Sequence, residues 1–211
     1  MGSRIWRIGS MFLLALLVTG CFGYEERIVL KSDGSGKVNG HYFISRRRAI
    51  PFARYRFPTE PKAVHEFLEK EFSSDKVKLL EYIIRKKGNK THVYFTLEFD
   101  DLRHLNELSH YRNQDFQLHY QGSEAVFKRT IPIEIQNWKK DKFVVDKPLR
   151  QLVKNQALSQ IKFRLEVDTP GQILKTSTDV VVGQNRAIWY YRLSELMEMD
   201  TLSLSLRYSI K

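Results

Sequence analysis

Cysteine is nearly absent from this 211-residue chain: the only one is Cys21. No intramolecular disulfide can form, and no cluster of thiolates can hold a metal. Glycine and proline are also sparse, at 11 and 6, and no low-complexity tract breaks the chain, so disorder is not the expectation. After residue 20 no apolar run approaches the roughly 20 residues that a spanning helix requires. The phosphate-cradling patterns G-x-x-x-x-G-K-[ST] and G-x-G-x-x-G do not occur, so a nucleotide site is not indicated. There is no G-x-S-x-G elbow either, and Gly34-Ser35-Gly36 falls in a predicted turn.

Metal ligands are no better represented. His65-Glu66 lacks the second histidine of H-E-x-x-H, and His104, His110 and His119 follow no metal-binding rhythm. Asp33-x-Ser35 is too short for a calcium loop. Asp100-Asp101 is a carboxylate pair whose place before an apolar helical pattern suits capping. With the sole thiol accounted for below, the sequence argues against an enzyme, and no cofactor is expected.

What is abundant is positive charge. The chain carries 35 Lys and Arg against 24 Asp and Glu, a formal +11. Without residues 1–20, which hold Arg4 and Arg7 and no acid, 33 cations face 24 acids, or +9. A basic surface suits nucleic acid, phospholipid head groups or anionic glycans, and it also serves solubility alone.

The N-terminus decides among these. Residues 1–10 are short and carry two arginines, residues 11–18 (MFLLALLV) are uninterrupted apolar, and Thr19-Gly20 are small. These are the three parts of a secretory signal. Val18-Thr19-Gly20-Cys21 resembles the lipobox of bacterial lipoproteins. That resemblance implies cleavage between Gly20 and Cys21, a diacylglyceryl thioether on the Cys21 sulfur, and acylation of its new amine by palmitate or a similar chain. Each buried methylene contributes about 0.8 kcal/mol, so two or three chains make a lasting anchor. The expected division is a removed signal over 1–20 and one exported domain over 21–211, tethered to a membrane of the bacterial cell envelope and lying on its periplasmic or external side. Export leaves no place for nucleic acid as a partner.

The exported part reads as hairpins separated by helices. Strands are expected over 25–31 and 37–45 around the turn Ser32–Gly36, over 77–87 and 90–99 around Gly88-Asn89, and over 115–120 and 124–135 around Gln121–Ser123. Further strands are expected over 161–167, 172–178, 186–191 and 201–209, the last alternating Leu202, Leu204, Leu206 and Tyr208. Thr59 is placed to cap a helix over 60–72, whose Val64, Phe67, Leu68 and Phe72 fall at helical spacing. Shorter helices are expected over 101–108 and 147–158. The fold class is α+β: a mainly antiparallel sheet built from hairpins, with two to three helices packed on one face.

The hairpin IVLKSDGSGKVNGHYFIS (28–45) behind a lipidated cysteine, and the stretch TPGQILKTSTDVVVGQNRAIWYYRLSEL (169–196), are similar to LppM-type bacterial lipoprotein domains. The resemblance implies a membrane-anchored α+β domain and, as proposed for some relatives, lipid or glycolipid binding. These motifs are structural and carry over no functional residue. The C-terminal transmembrane helix of some relatives has no counterpart here, so Cys21 is expected to be the only anchor.

One positive feature remains. Between residues 46 and 57, Arg46, Arg47, Arg48, Arg54 and Arg56 are interleaved with Ile50, Phe52, Tyr55 and Phe57. On a tethered domain this composition suits anionic head groups, at about 1 kcal/mol per basic residue near a charged bilayer; a solvated loop with partly buried aromatics is the plainer reading. The expected function is therefore a non-catalytic binding module for a lipid or another amphiphilic or anionic ligand, including an anionic glycan. The alternative is a structural or protein-interaction lipoprotein of the envelope or host-facing surface, whose protein partner the sequence does not name.

Overall fold

A computed structural model describes residues 22–45, 57–133 and 159–210. Strand β1 (Phe22–Leu30) turns back into β2 (Gly36–Ser45). In the turn Lys31 N–H donates to Ser35 O (2.8 Å), and the Asp33 carboxylate accepts from the Ser35 N–H (3.0 Å) and hydroxyl (2.7 Å). Gly34 takes φ +86°, a region that other residues avoid. Helix α1 (Pro61–Phe72) follows, then β3 (Val77–Lys87) and β4 (Lys90–Phe99), joined through Gly88 at φ +59°. Two short 3₁₀ turns, Leu102–Glu107 and Ser109–Tyr111, lead to β5 (Asp115–Gln121) and β6 (Glu124–Pro132). The remaining elements are β7 (Lys162–Asp168), β8 (Ile173–Thr176), β9 (Val180–Val182), β10 (Arg186–Arg192), α2 (Leu193–Leu196) and β11 (Thr201–Ser209).

These strands form two sheets, not one. The first has the order β3-β4-β2-β1-β7-β10-β9, the second β5-β6-β11-β8. Every pairing is antiparallel except β1 with β7, which run parallel from Gly23↔Lys162 to Val29↔Asp168. A parallel neighbour needs a long crossover, and nearly all of the chain between β1 and β7 intervenes. No local pattern announces such a pairing.

Alternation sets the two faces of each strand. In β1, Phe22, Tyr24, Glu26, Ile28 and Leu30 point inward; in β11, Leu202, Leu204, Leu206 and Tyr208 do so. The inward faces of both sheets contribute to one apolar cluster, joined by Val64, Leu68 and Phe72 of α1 and by Leu102, Leu105, Leu108 and Tyr111 of the 3₁₀ turns. Aromatic rings fill much of it: Phe57 lies 5.0 Å from both Phe22 and Tyr42, and Phe72 lies 4.7 Å from Phe95. Each large side chain buried this way contributes roughly 1.5–3 kcal/mol.

Helix α1 occupies the expected span, but its N-cap is Glu60 instead of Thr59, with no side-chain cap bond. Pro61, at the first helical position, has no N–H, so one of the unpaired donors of the first turn is missing. The segment 101–108 is 3₁₀, tightened where the Asp101 carboxylate accepts the Arg103 N–H at 2.8 Å. The helix expected over 147–158 lies outside the described residues. α1 is the only described helix longer than two turns, so the chain is richer in sheet than in helix. None of the described helices is long and apolar enough to cross a membrane, which says nothing of a crossing made by strands.

Candidate functional site

Gly20 and Cys21, and Arg46, Arg47, Arg48, Arg54 and Arg56, lie outside the described residues. Their flanks are described and stand together. Phe22, bonded to Cys21, pairs with Ile44, and Ser45, bonded to Arg46, pairs with Lys90. Phe57, which ends the basic segment, packs against Phe22 and Tyr24. The residues bonded to the predicted anchor and to the start of the arginine segment thus share one end of the large sheet.

The histidines considered as ligands or bases are dispersed. His104 pairs with Asp100 (2.5 Å) on the surface, while Asp101 is taken by Arg103 (2.5 Å) and held down to a pKa of about 2, first by that hydrogen bond. His65 sits by Tyr82, His119 contacts Gln117 (3.2 Å), and His110 is packed beside Phe72 and Tyr24. Among the described residues no three His, Cys, Asp or Glu side chains are grouped to hold a metal ion.

Two constellations escaped the sequence reading. The first is buried between the sheets. The Arg129 guanidinium donates from Nη1 to Glu26 Oε1 at 2.5 Å, with side-chain exposures of 4% and 1%. Tyr24 and Tyr111 donate their hydroxyls to Glu26 Oε2 at 2.7 and 2.8 Å. The rest of the Arg129 fork donates to Gln114 Oε1 at 3.0 and 2.9 Å, and its plane lies over the Phe116 ring at 4.5 Å. Burial alone would raise the Glu26 pKa, but the Arg129 charge and the three hydrogen bonds overcome it and hold the carboxyl ionised. Burial and the Glu26 charge push both tyrosines up, so they remain donors. The cluster is saturated and inward, which fits a tie between sheets and not a reactive centre.

The second lies on the outer face of the seven-stranded sheet. One register row runs Ile83, Tyr94, His41, Glu25, Arg164, Tyr190 across β3, β4, β2, β1, β7 and β10. His41 stacks on Tyr94 at 4.2 Å, approaches Glu25 at 3.3 Å and meets His92 at 3.0 Å. Arg164 stands over the Tyr190 ring at 5.6 Å. In the next row Phe43 lies across Gly23, where any Cβ would run into the ring, and Lys90 sits 4.4 Å above Phe43. Tyr94 and Tyr190 remain exposed at 38% and 56%. Cations dominate this face: Arg27, Lys37, Lys78, Arg85, Lys87, Lys90, Lys162, Arg164, Arg186 and Arg192 outnumber Glu25, Glu81, Glu98, Glu166 and Asp168. The Glu25 carboxyl is held low, first by its bond to His41, and His92 is held low by burial, then by the charges of His41, Lys90 and Lys87. The face therefore offers rings flanked by cations, which suits a ligand with an apolar part and a negative charge.

Residues 16–211 match the LIC11874-like family, and the chain belongs to that family. Among solved structures it is similar to the folded domain of LppM from Mycobacterium tuberculosis, determined by NMR, with 14% identity over 92% of each chain and a TM-score of 0.48. At that identity and score the likeness bears on no residue role and no activity. None of the curated proteins matches the chain.

Proposed function

We propose that the chain is a bacterial lipoprotein, cut before Cys21 and held at an envelope membrane by acyl chains on that cysteine. Its exported domain is then a non-catalytic binding module for an anionic amphiphile: a lipid, or a glycan carrying negative charge. The anchor rests on the signal and lipobox at residues 1–21. The observation that carries the binding reading is the outer row of Tyr94, His41, Arg164 and Tyr190, with Phe43 and Lys90 beside it. A groove between sheet and helix is the less favoured place. There Tyr42, Phe57, Phe67 and Phe72 already meet ring to ring.

Native mass spectrometry on residues 22–211, purified from the periplasm of a bacterial host, tests it. Every described element lies within that span. The expectation is defined adducts of lipid mass that organic extraction removes and that Phe43→Ala with Arg164→Ala weakens. A clean mass after incubation with envelope lipid extract would overturn the binding reading.

A protein-interaction role has one observation in its favour. Edge strand β9 presents Val180, Val181 and Val182 at 40–49% exposure, and among the described residues no strand pairs with its second side. Exposed apolar edges invite strand addition by another chain. Cross-linking from Val181→Cys in envelopes to one stoichiometric protein would favour this reading over ligand binding.

A further inference from the structure

We infer that one end of the seven-stranded sheet, where β1 begins and the β3–β4 turn lies, is a docking surface that stands on an anionic bilayer. The last three register rows there are Lys87–Lys90–Ser45, Lys86–Thr91–Ile44–Phe22 and Arg85–His92–Phe43–Gly23–Lys162–Arg192. They contain six cations and no acid. Five are exposed, and Lys90 is half-buried over Phe43. No ion pair among the described residues engages any of the six. The carboxylate nearest in the chain, Glu195, is occupied by the Arg192 backbone N–H at 2.7 Å.

The opposite end is different. Its row Lys78–Glu98–Lys37–Val29–Asp168–Arg186 mixes both signs, and the adjoining turns add Asp33, Asp100 and Asp101. In the strand rows charge is therefore graded along the strand direction, from cationic to mixed, while the segment after Arg192 adds the exposed Glu195, Glu198 and Asp200. Ion-paired cations are discounted toward a membrane, whereas none of these six is ion-paired among the described residues. Phe22, at the centre of the cationic end, is the residue bonded to Cys21. The residue bonded to the predicted anchor and the cationic rows thus share one end of the sheet. The direction of approach rests on the anchor reading above; the charge grading does not. The outer-face row of Tyr94, His41, Arg164 and Tyr190 then begins next to the head groups, where an amphiphile would leave the bilayer.

Lysine footprinting tests this on the full chain purified from bacterial membranes and placed in vesicles of phosphatidylcholine, with or without phosphatidylglycerol. An amine-reactive ester is applied, and modification is read by peptide mass spectrometry. Lys86, Lys87, Lys90 and Lys162 are expected to lose reactivity severalfold on the anionic vesicles only, while Lys31, Lys37 and Lys78 do not change. Each cation changes the docked population about fivefold, so Lys86→Glu with Lys87→Glu should lower it roughly twenty-five-fold or more and restore Lys162 reactivity. Both side chains are exposed at the end of the β3–β4 hairpin, where substitutions usually change stability by no more than about 0.5 kcal/mol. Equal reactivity at both ends, or equal protection on neutral vesicles, would overturn the proposal. The intact mass of the same sample reports acylation separately. An acylated chain without protection sinks the docking surface and leaves the anchor standing. An unacylated chain that is still protected supports docking and removes the anchor.

Discussion

Replacing Arg129 by Met should expose what the buried charge pair does. The substitution keeps an unbranched apolar stem between Tyr111 and Phe116 but removes the only cation that touches Glu26 among the described residues, in its 1%-exposed position. Breaking a buried pair from one side costs about 3–5 kcal/mol, because the remaining charge keeps its desolvation penalty. The pH dependence gives the sign. In the parent chain the folded Glu26 pKa is depressed, so its contribution is present above the ordinary glutamate value of 4.5 and is lost as pH falls below it. In the variant only the Tyr24 and Tyr111 hydrogen bonds still oppose burial, and the folded pKa is raised. Its stability is then full below the unfolded value and lost as pH rises. The difference between parent and variant should be widest near pH 7.5 and should narrow towards pH 4. Urea unfolding of residues 22–211, followed by tryptophan fluorescence, measures it at both values. Glu26→Leu combined with Arg129→Met removes both charges and should recover most of the loss. A loss below about 1 kcal/mol, or one independent of pH, would refute the reasoning.

Gly171→Ala should cost about 1–3 kcal/mol, since a Cβ there meets the Ser209 backbone carbonyl, which cannot swing aside; calorimetry should show a drop of roughly 2–4 °C per kcal/mol. Gly23→Ala meets only the Phe43 side chain, so a smaller stability loss is expected together with weaker lipid adducts in native mass spectrometry. Changing Arg46, Arg47 and Arg48 to Ser should weaken association of residues 22–211 with anionic vesicles, most of all at low salt, as sedimentation would show. Unchanged binding at low salt would return that segment to a solvated loop.

Local order was the most legible part of this sequence. The strands over 77–87, 90–99 and 201–209 fall where alternation and the Gly88-Asn89 turn place them, and α1 fills the span set by Val64, Leu68 and Phe72. Short elements escaped: Val180–Val182 carries no alternation, and 101–108 winds as 3₁₀ around an Asp101 side-chain bond. Long-range arrangement escaped for a different reason. The β1–β7 pairing and the division into two sheets depend on contacts that no window of sequence contains. The Glu26–Arg129 tie left a signal. Glu26 is in phase with Tyr24 and Ile28, and Arg129 with Ala125 and Phe127, so each strand places an ion on its core face. Two opposite charges in apolar phase are candidates for one another. The outer face is harder to read in advance, because stacking of His41 on Tyr94 requires knowing that β2 pairs with β4.

The domain is proposed to be tethered through Cys21 and to work at a membrane surface. The intact mass of the full-length protein recovered from bacterial membranes tests it most directly. The expected chain begins at Cys21 and carries the added mass of a diacylglyceryl group and an amide-linked acyl chain, with both absent from Cys21→Ala. A mature chain of unmodified mass, or a Cys21→Ala chain that still incorporates labelled fatty acid, would contradict it.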